Sequence, residues 1–200
     1  MSGDASLRIA RQISNWLIPP SFLLLVVTVL VLIVPGTPVQ KILWWNVSIW
    51  GAGIVPMAVI FRMFYRKRVS GKHLPLREER TVPYLVSIGS TGLTFAALWL
   101  LNAPAIFCAM MLAYWGNTIF LLAVNFWWKM SAHMMGATGP LTVLVWKAGS
   151  GVLPLFLLPI AVAWARIRLK VHTPAQVVAG GLLGILLTYL QLAFWLQVFG

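Results

Sequence analysis

Acidic side chains are almost missing from this chain: Asp4, Glu78 and Glu79 are the only three in 200 residues. Three carboxylates, none inside a long apolar run, cannot build an oxygen cage for a hard divalent cation. Cysteine is scarcer still. Cys108 stands alone, so no disulfide closes within the chain and no Cys/His spacing suggests zinc. Charged residues of both signs make up 9% of the sequence, against roughly 25% in a soluble domain. These shortages exclude a water-soluble enzyme and a disordered chain.

What is present is apolar. Hydrophobic residues make up 60% of the chain and its mean hydropathy is +0.90. A soluble particle of this size leaves too much surface in water to hide such a composition. The expectation is one all-α domain over residues 1–200, a polytopic bundle of about six or seven membrane-spanning helices. Runs long enough to cross a bilayer fall at 15–35, 43–64, 82–101, 104–127, 132–147, 151–167 and 174–198. The fifth and sixth are short and are divided by Lys147-Ala148-Gly149-Ser150-Gly151. Arg8 and Arg11 before the first run raise the question of a signal peptide. The run is too long, Pro19-Pro20 interrupts it and no small-residue cleavage site follows, so it reads as a retained span. Trp16, Trp44, Trp45, Trp127, Trp128, Trp146 and Trp164 stand near the run ends, where indoles prefer the headgroup layer. Gly180, Gly181 and Gly184 put small residues on one helix face and predict close packing against another helix.

The scarce charge is almost all positive, with fifteen Lys and Arg giving a net +12. In a soluble chain this would suggest nucleic acid; here basic loops and an anionic ligand are the expected reasons. Seven spans put thirteen of the fifteen on one side and only Lys41 and Lys147 on the other. The positive-inside rule then places the N-terminus and the basic side in the cytoplasm of a multi-pass protein of the cell membrane.

All three histidines belong to that side. His73 lies in the loop from Arg66 to Arg80 and reads as solvated, and Arg66-Lys67-Arg68 reads as a patch for anionic headgroups. His133 follows Lys129-Met130-Ser131-Ala132, and His172 follows Arg166-Ile167-Arg168-Leu169-Lys170-Val171. Ionisable groups near membrane depth are functional candidates by default. Arginine forks clamp a phosphoryl group, one histidine can attack phosphorus, and a second can protonate the leaving oxygen. Metal-independent phosphoryl transfer through a phosphohistidine fits these residue types.

The spacings resemble those of the type 2 phosphatidic acid phosphatase superfamily, which includes the vanadium haloperoxidases and whose motifs are K-x6-R-P, P-S-G-H and S-R-x5-H-x3-D. Arg166 and His172 have the R-x5-H spacing, and Met130-Ser131-Ala132-His133 is similar to the second motif with Ser and His kept. Lys72 and Arg80 are one residue further apart than the first motif asks, Thr81 stands in place of its Pro, and Arg77-Glu78-Glu79-Arg80 supplies a second arginine. The likeness covers about residues 65–190. It implies that His172 is the nucleophile and His133 the general acid. It also implies that Arg166, Arg80, Arg77 and Lys72 hold phosphate oxygens with Ser131 and the Ala132 N–H, and that no cofactor is needed.

One departure stands out: Gln176 occupies the place of the family's Asp. A glutamine carbonyl can orient the histidine, but it cannot stabilise its charge. Each residue also has a local reading. Thr173-Pro174-Ala175-Gln176 has the form of a capping box, Ser131 suits a helix cap, and Arg77 can pair with a neighbouring Glu. The resemblance and the location together imply a lipid phosphate or diphosphate phosphatase at the cytoplasmic face. Its candidate substrates are polyprenyl phosphates, phosphatidic acid and phosphatidylglycerol phosphate, with an isoprenoid phosphate placed first. A degenerate member that only binds phospholipid or a partner protein, and an anion or lipid transporter, are the rivals.

Overall fold

A computed structural model describes residues 2–70 and 76–199, with side chains described from Ala5 onward. Lys72 and His73 lie outside the described residues. The described chain is all-helical. Helix α1 (Ser2–Trp16) breaks at Leu17-Ile18 and α2 (Pro19–Ile33) restarts on two prolines, which suit a first turn because its N–H groups lack helical acceptors. Helix α3 (Pro38–Ser48) starts on a Thr37/Gln40 capping box and continues through a π-helical turn, Ile49–Ile54, into α4 (Val55–Tyr65). A short 3-10 turn, Glu78–Arg80, leads into α5 (Thr81–Leu100), followed by α6 (Ala105–Asn125) and α7 (Ala132–Ala148). Gly149, with φ of 82°, ends α7 in a conformation that favours glycine. A 3-10 segment then enters α8 (Leu157–Arg168), and α9 (Pro174–Phe199) completes the bundle.

Among the described residues, five helical stretches are long and apolar enough to cross a membrane: Pro38–Tyr65, Glu78–Leu100, Ala105–Asn125, Ser150–Arg168 and Pro174–Phe199. A sixth is added if α1 and α2, which meet at 53°, form one broken span. Of the seven runs marked in the sequence, that at 132–147 falls short of this length, because α7 has only 17 residues. It nevertheless runs the same way as α9, with Gly180 beside Ser131 and Thr188 beside Gly139, and is the central helix, with every residue from Ala137 to Leu144 buried and its main contacts on α9 and α2.

The glycine stripe of α9 does what its spacing predicts. A Cβ at Gly180 would stand 2.5 Å from the Ser131 carbonyl oxygen, and one at Gly184 would stand 3.0 Å from the Met135 backbone. Helices α7 and α9 therefore touch backbone to backbone. The tryptophans divide. Trp16 and Trp127 are exposed as expected, but Trp44 is buried against Phe107 and donates its indole N–H to the Leu101 carbonyl at 3.2 Å. Proximity to a run end does not distinguish an interfacial indole from one that ties two helix ends together.

Candidate functional site

Three connections meet at one end of the bundle. Arg77 Nη1 donates to the Phe126 carbonyl, and Asn125 Nδ2 donates to the Arg77 carbonyl, both at 3.0 Å. Arg80 Nη1 donates to the Met130 carbonyl at 3.0 Å. Lys129 Nζ donates to the Val171 carbonyl at 2.8 Å, and the Ser131 N–H donates to the Gln176 carbonyl at 3.2 Å. The α4–α5, α6–α7 and α8–α9 connections are thereby stitched into one basic rim.

Under this rim lies a cavity of about 220 Å³. Arg80, Ala132, His133 and His172 line its mouth, while Leu23, Ala52, Ser87, Tyr114 and Pro140 lie deeper. Proline shapes the wall. Pro140, inside α7, has no N–H for the carbonyl of Gly136, and the π-helical turn before Pro56 widens α3–α4 where Ala52 and Gly53 face the cavity.

Gln176 fixes His172. The ring Nδ1 lies 3.0 Å from Gln176 Oε1, which also accepts the Thr173 N–H at 3.2 Å. An amide oxygen only accepts, so Nδ1 carries the hydrogen and Nε2 keeps the lone pair. The Gln176 N–H returns to Thr173 Oγ1 at 3.3 Å, completing a capping box. One side chain thus fills both roles that its sequence position suggests. Burial, then the charges of Arg166 and Arg80, push His172 down from 6.5 to about 3, against the Gln176 hydrogen bond that raises it. The imidazole is neutral at pH 7. Lys129 is also lowered, by desolvation first and then by Arg80 and Arg166.

Arg166 stands behind the mouth, 1% exposed, and acts on His172 by its charge. Its Nη1 donates to Ser14 Oγ at 2.7 Å, and its Nε has no hydrogen-bond partner among the described residues. Ser14 belongs to α1, and Arg168 Nε donates to Ser6 Oγ of the same helix at 3.1 Å. Ala132 opens α7 and lines the cavity at that helix's N-terminal end. The α7 N-terminus and the buried arginine give the mouth a positive field, suited to an anion.

The other residues singled out in the sequence fall elsewhere. Ser131 is fully buried off the cavity and caps α7, its Oγ accepting the Met134 N–H at 3.4 Å. Arg77 is outside the lining and pairs with Glu78 at 3.4 Å. Glu79 holds the backbone and hydroxyl of Ser70 at 2.6 and 3.0 Å. Among the described residues no cluster of three or more His, Cys, Asp or Glu is placed to hold a metal ion. Ser14, Tyr84, Tyr114 and Asn117 belong to the site or its cavity without having been singled out in the sequence. Ser14 carries no local signal, whereas Asn117 is a polar residue inside an apolar span. Compared with family models, curated proteins and solved structures, the chain matches none.

Proposed function

We propose that this protein is a membrane phosphatase that removes phosphate from a lipid through His172. The observation that carries the reading is Arg166, a buried cation with an open Nε beside a neutral, oriented imidazole at the mouth of a largely apolar cavity. Burying a charge is costly unless something pairs with it, and a phosphate supplies what Arg166 lacks.

The proposed steps are these. Phosphate oxygens sit against Arg80 and the Ala132 N–H at the first turn of α7, with the charge of Arg166 behind them. The Nε2 lone pair of His172 attacks phosphorus, the bond from phosphorus to the lipid oxygen breaks, and His133 gives that oxygen a proton. Water then attacks the phosphohistidine, His133 takes its proton, and the phosphorus–nitrogen bond breaks to release inorganic phosphate. Gln176 holds the reactive tautomer throughout. The resemblance to the type 2 phosphatidic acid phosphatase superfamily in the spacings of Arg80, His133, Arg166 and His172 supports these assignments. Ser131 serves here as the cap that sets the angle of α7. The excess of Lys and Arg that the sequence assigns to the side of His133 and His172, with Lys41 and Lys147 alone assigned to the other, supports a cytoplasmic mouth in a multi-pass protein of the cell membrane.

The test is phosphate release in detergent with EDTA present, from diacyl and polyprenyl phosphates. Release that His172→Ala abolishes is the expected result. Release that survives His172→Ala overturns the mechanism, and no release from either lipid favours a chain that binds phospholipid without turning it over.

A further inference from the structure

The N-terminal helix leans on one neighbour. Helix α1 packs mainly on α8, and it turns Leu7, Ala10, Ile13 and Ser14 inward, with Ala10 and Ser14 fully buried. Two hydrogen bonds pin it, from Arg166 to Ser14 and from Arg168 to Ser6. The two serines are about 12 Å apart at 1.5 Å per residue, whereas the two arginines leave the end of α8 on nearly opposite sides. Helix α1 therefore slants across the end of α8, and the 53° turn at Leu17-Ile18 carries it off the line of α2. Asn15, next to Ser14, borders the cavity.

The outward flanks of α1 are opposite in character. At about 100° per residue, Arg8, Arg11, Gln12 and Asn15 fall on one flank and Ala5, Ile9 and Trp16 on the other, all of them exposed. Trp16 is 74% exposed and Ile9 55%. A helix wholly in hydrocarbon could not keep the first flank, and a helix wholly in water would leave the second unsheltered. At the boundary both are satisfied: the apolar flank enters the edge of the hydrocarbon and the arginines meet headgroups. No acidic residue occurs from Ala5 to Trp16, so the polar flank complements a surface of negative charge.

We propose that α1 is an interfacial strap that docks on anionic lipid, and that docking seats Ser14 against Arg166, so that anionic lipid activates the site without being consumed. The proposal rests on the phosphatase reading for what Arg166 does. With one principal neighbour, α1 depends on the bilayer for the rest of its hold. When α1 lifts, Arg166 loses the hydroxyl that fixes its guanidinium behind the mouth.

The test compares nanodiscs of phosphatidylcholine with discs that also contain phosphatidylglycerol, a diester with no terminal phosphate to remove. A polarity-sensitive fluorophore on Ile9→Cys reads docking without turnover, because Cys108 is buried. Its emission should move to the blue in the mixed discs, and Arg8→Gln combined with Arg11→Gln should remove the shift. A basic residue near an anionic surface is worth about fivefold, and phosphate release at limiting substrate should rise by about that factor or more. The double arginine variant should release phosphate in mixed discs only as fast as wild type does in neutral ones. Ser14→Ala should keep the emission shift and lose most of the rise. No shift, a shift that the double variant keeps, a shift without a rise in a preparation that releases phosphate, or a rise that Ser14→Ala leaves whole overturns the proposal. Absence of release from both kinds of disc sinks the phosphatase reading alone. Docking of α1 then stands or falls on the emission shift and its loss in the double variant.

Discussion

The two sides of α7 are built in opposite ways. Towards α9 it meets Gly180, Gly181 and Gly184, and no room remains even for a methyl group at Gly180 or Gly184. Towards α4 and the π-helical turn the helices stand apart around the cavity, while α2 packs on α7 with Pro19 against Gly136. The tight side carries the residues on which the proposed chemistry rests: His133 at the start of α7, and His172 with Gln176 at the start of α9. The open side carries prolines and a π turn, which keep a helix from filling its share of the space. Precision and vacancy have been assigned to different helix pairs.

The largest effect should come from breaking the tight side. Gly180→Leu drives a side chain into the Ser131 carbonyl and unseats the cap of α7. A loss of about 3 kcal/mol or more is expected, the upper end for overpacking, seen as aggregation or a collapsed melting transition in detergent. The same enlargement on the open side should act quite differently. Met57→Trp adds bulk to the cavity lining, and should change stability by less than about 1.5 kcal/mol while lowering turnover of long-chain substrates about tenfold. Equal stability loss in the two variants would erase the contrast between the sides.

Acid sharpens the comparison at the rim. The folded pKa of His172 lies below its unfolded value, so folding favours the neutral ring. That contribution is complete above about pH 6.5 and is lost as pH falls towards 3. Melting temperature should fall between pH 7 and pH 4 in the wild type, and fall less in His172→Gln. Parallel curves for the two proteins would show that the ring is not held as described. The smallest effect on activity should be that of Ser14→Ala. It removes one hydrogen bond from Arg166, is expected to cost about 1.5 to 3 kcal/mol of local support, and should raise KM several-fold while leaving kcat close to wild type.

Much of the tight side is legible in the sequence because its signals are local. Glycines at 180, 181 and 184 share a helix face by spacing alone, and Thr173 to Gln176 spells a capping box within four residues. The all-helical class follows from composition. The open side is not legible in this way. A cavity is set by distances between helices, and nothing local separates Trp44, which fills space against Phe107, from Trp127, which faces outward. Ser14 reaches Arg166 across 152 positions, a pairing no local pattern announces. Asn117 and Gln191 are visible as polar residues in apolar runs, yet their mutual contact and the depth of Tyr114 come only from the packed bundle. The central place of α7 was also hidden, since an apolar run that faces lipid and one packed by helices on every side read alike.

The direction of α9 has a practical consequence. It leaves the basic end at Pro174 and runs 26 residues to Phe199, about 39 Å at 1.5 Å per residue. A compartment-sensitive reporter joined after Phe199 and a second one inserted after Ser70 would therefore stand in different compartments. An enzyme tag that works only in reducing cytoplasm should be active at one of the two insertion points and silent at the other, and the active one tells which side of the membrane the basic end faces.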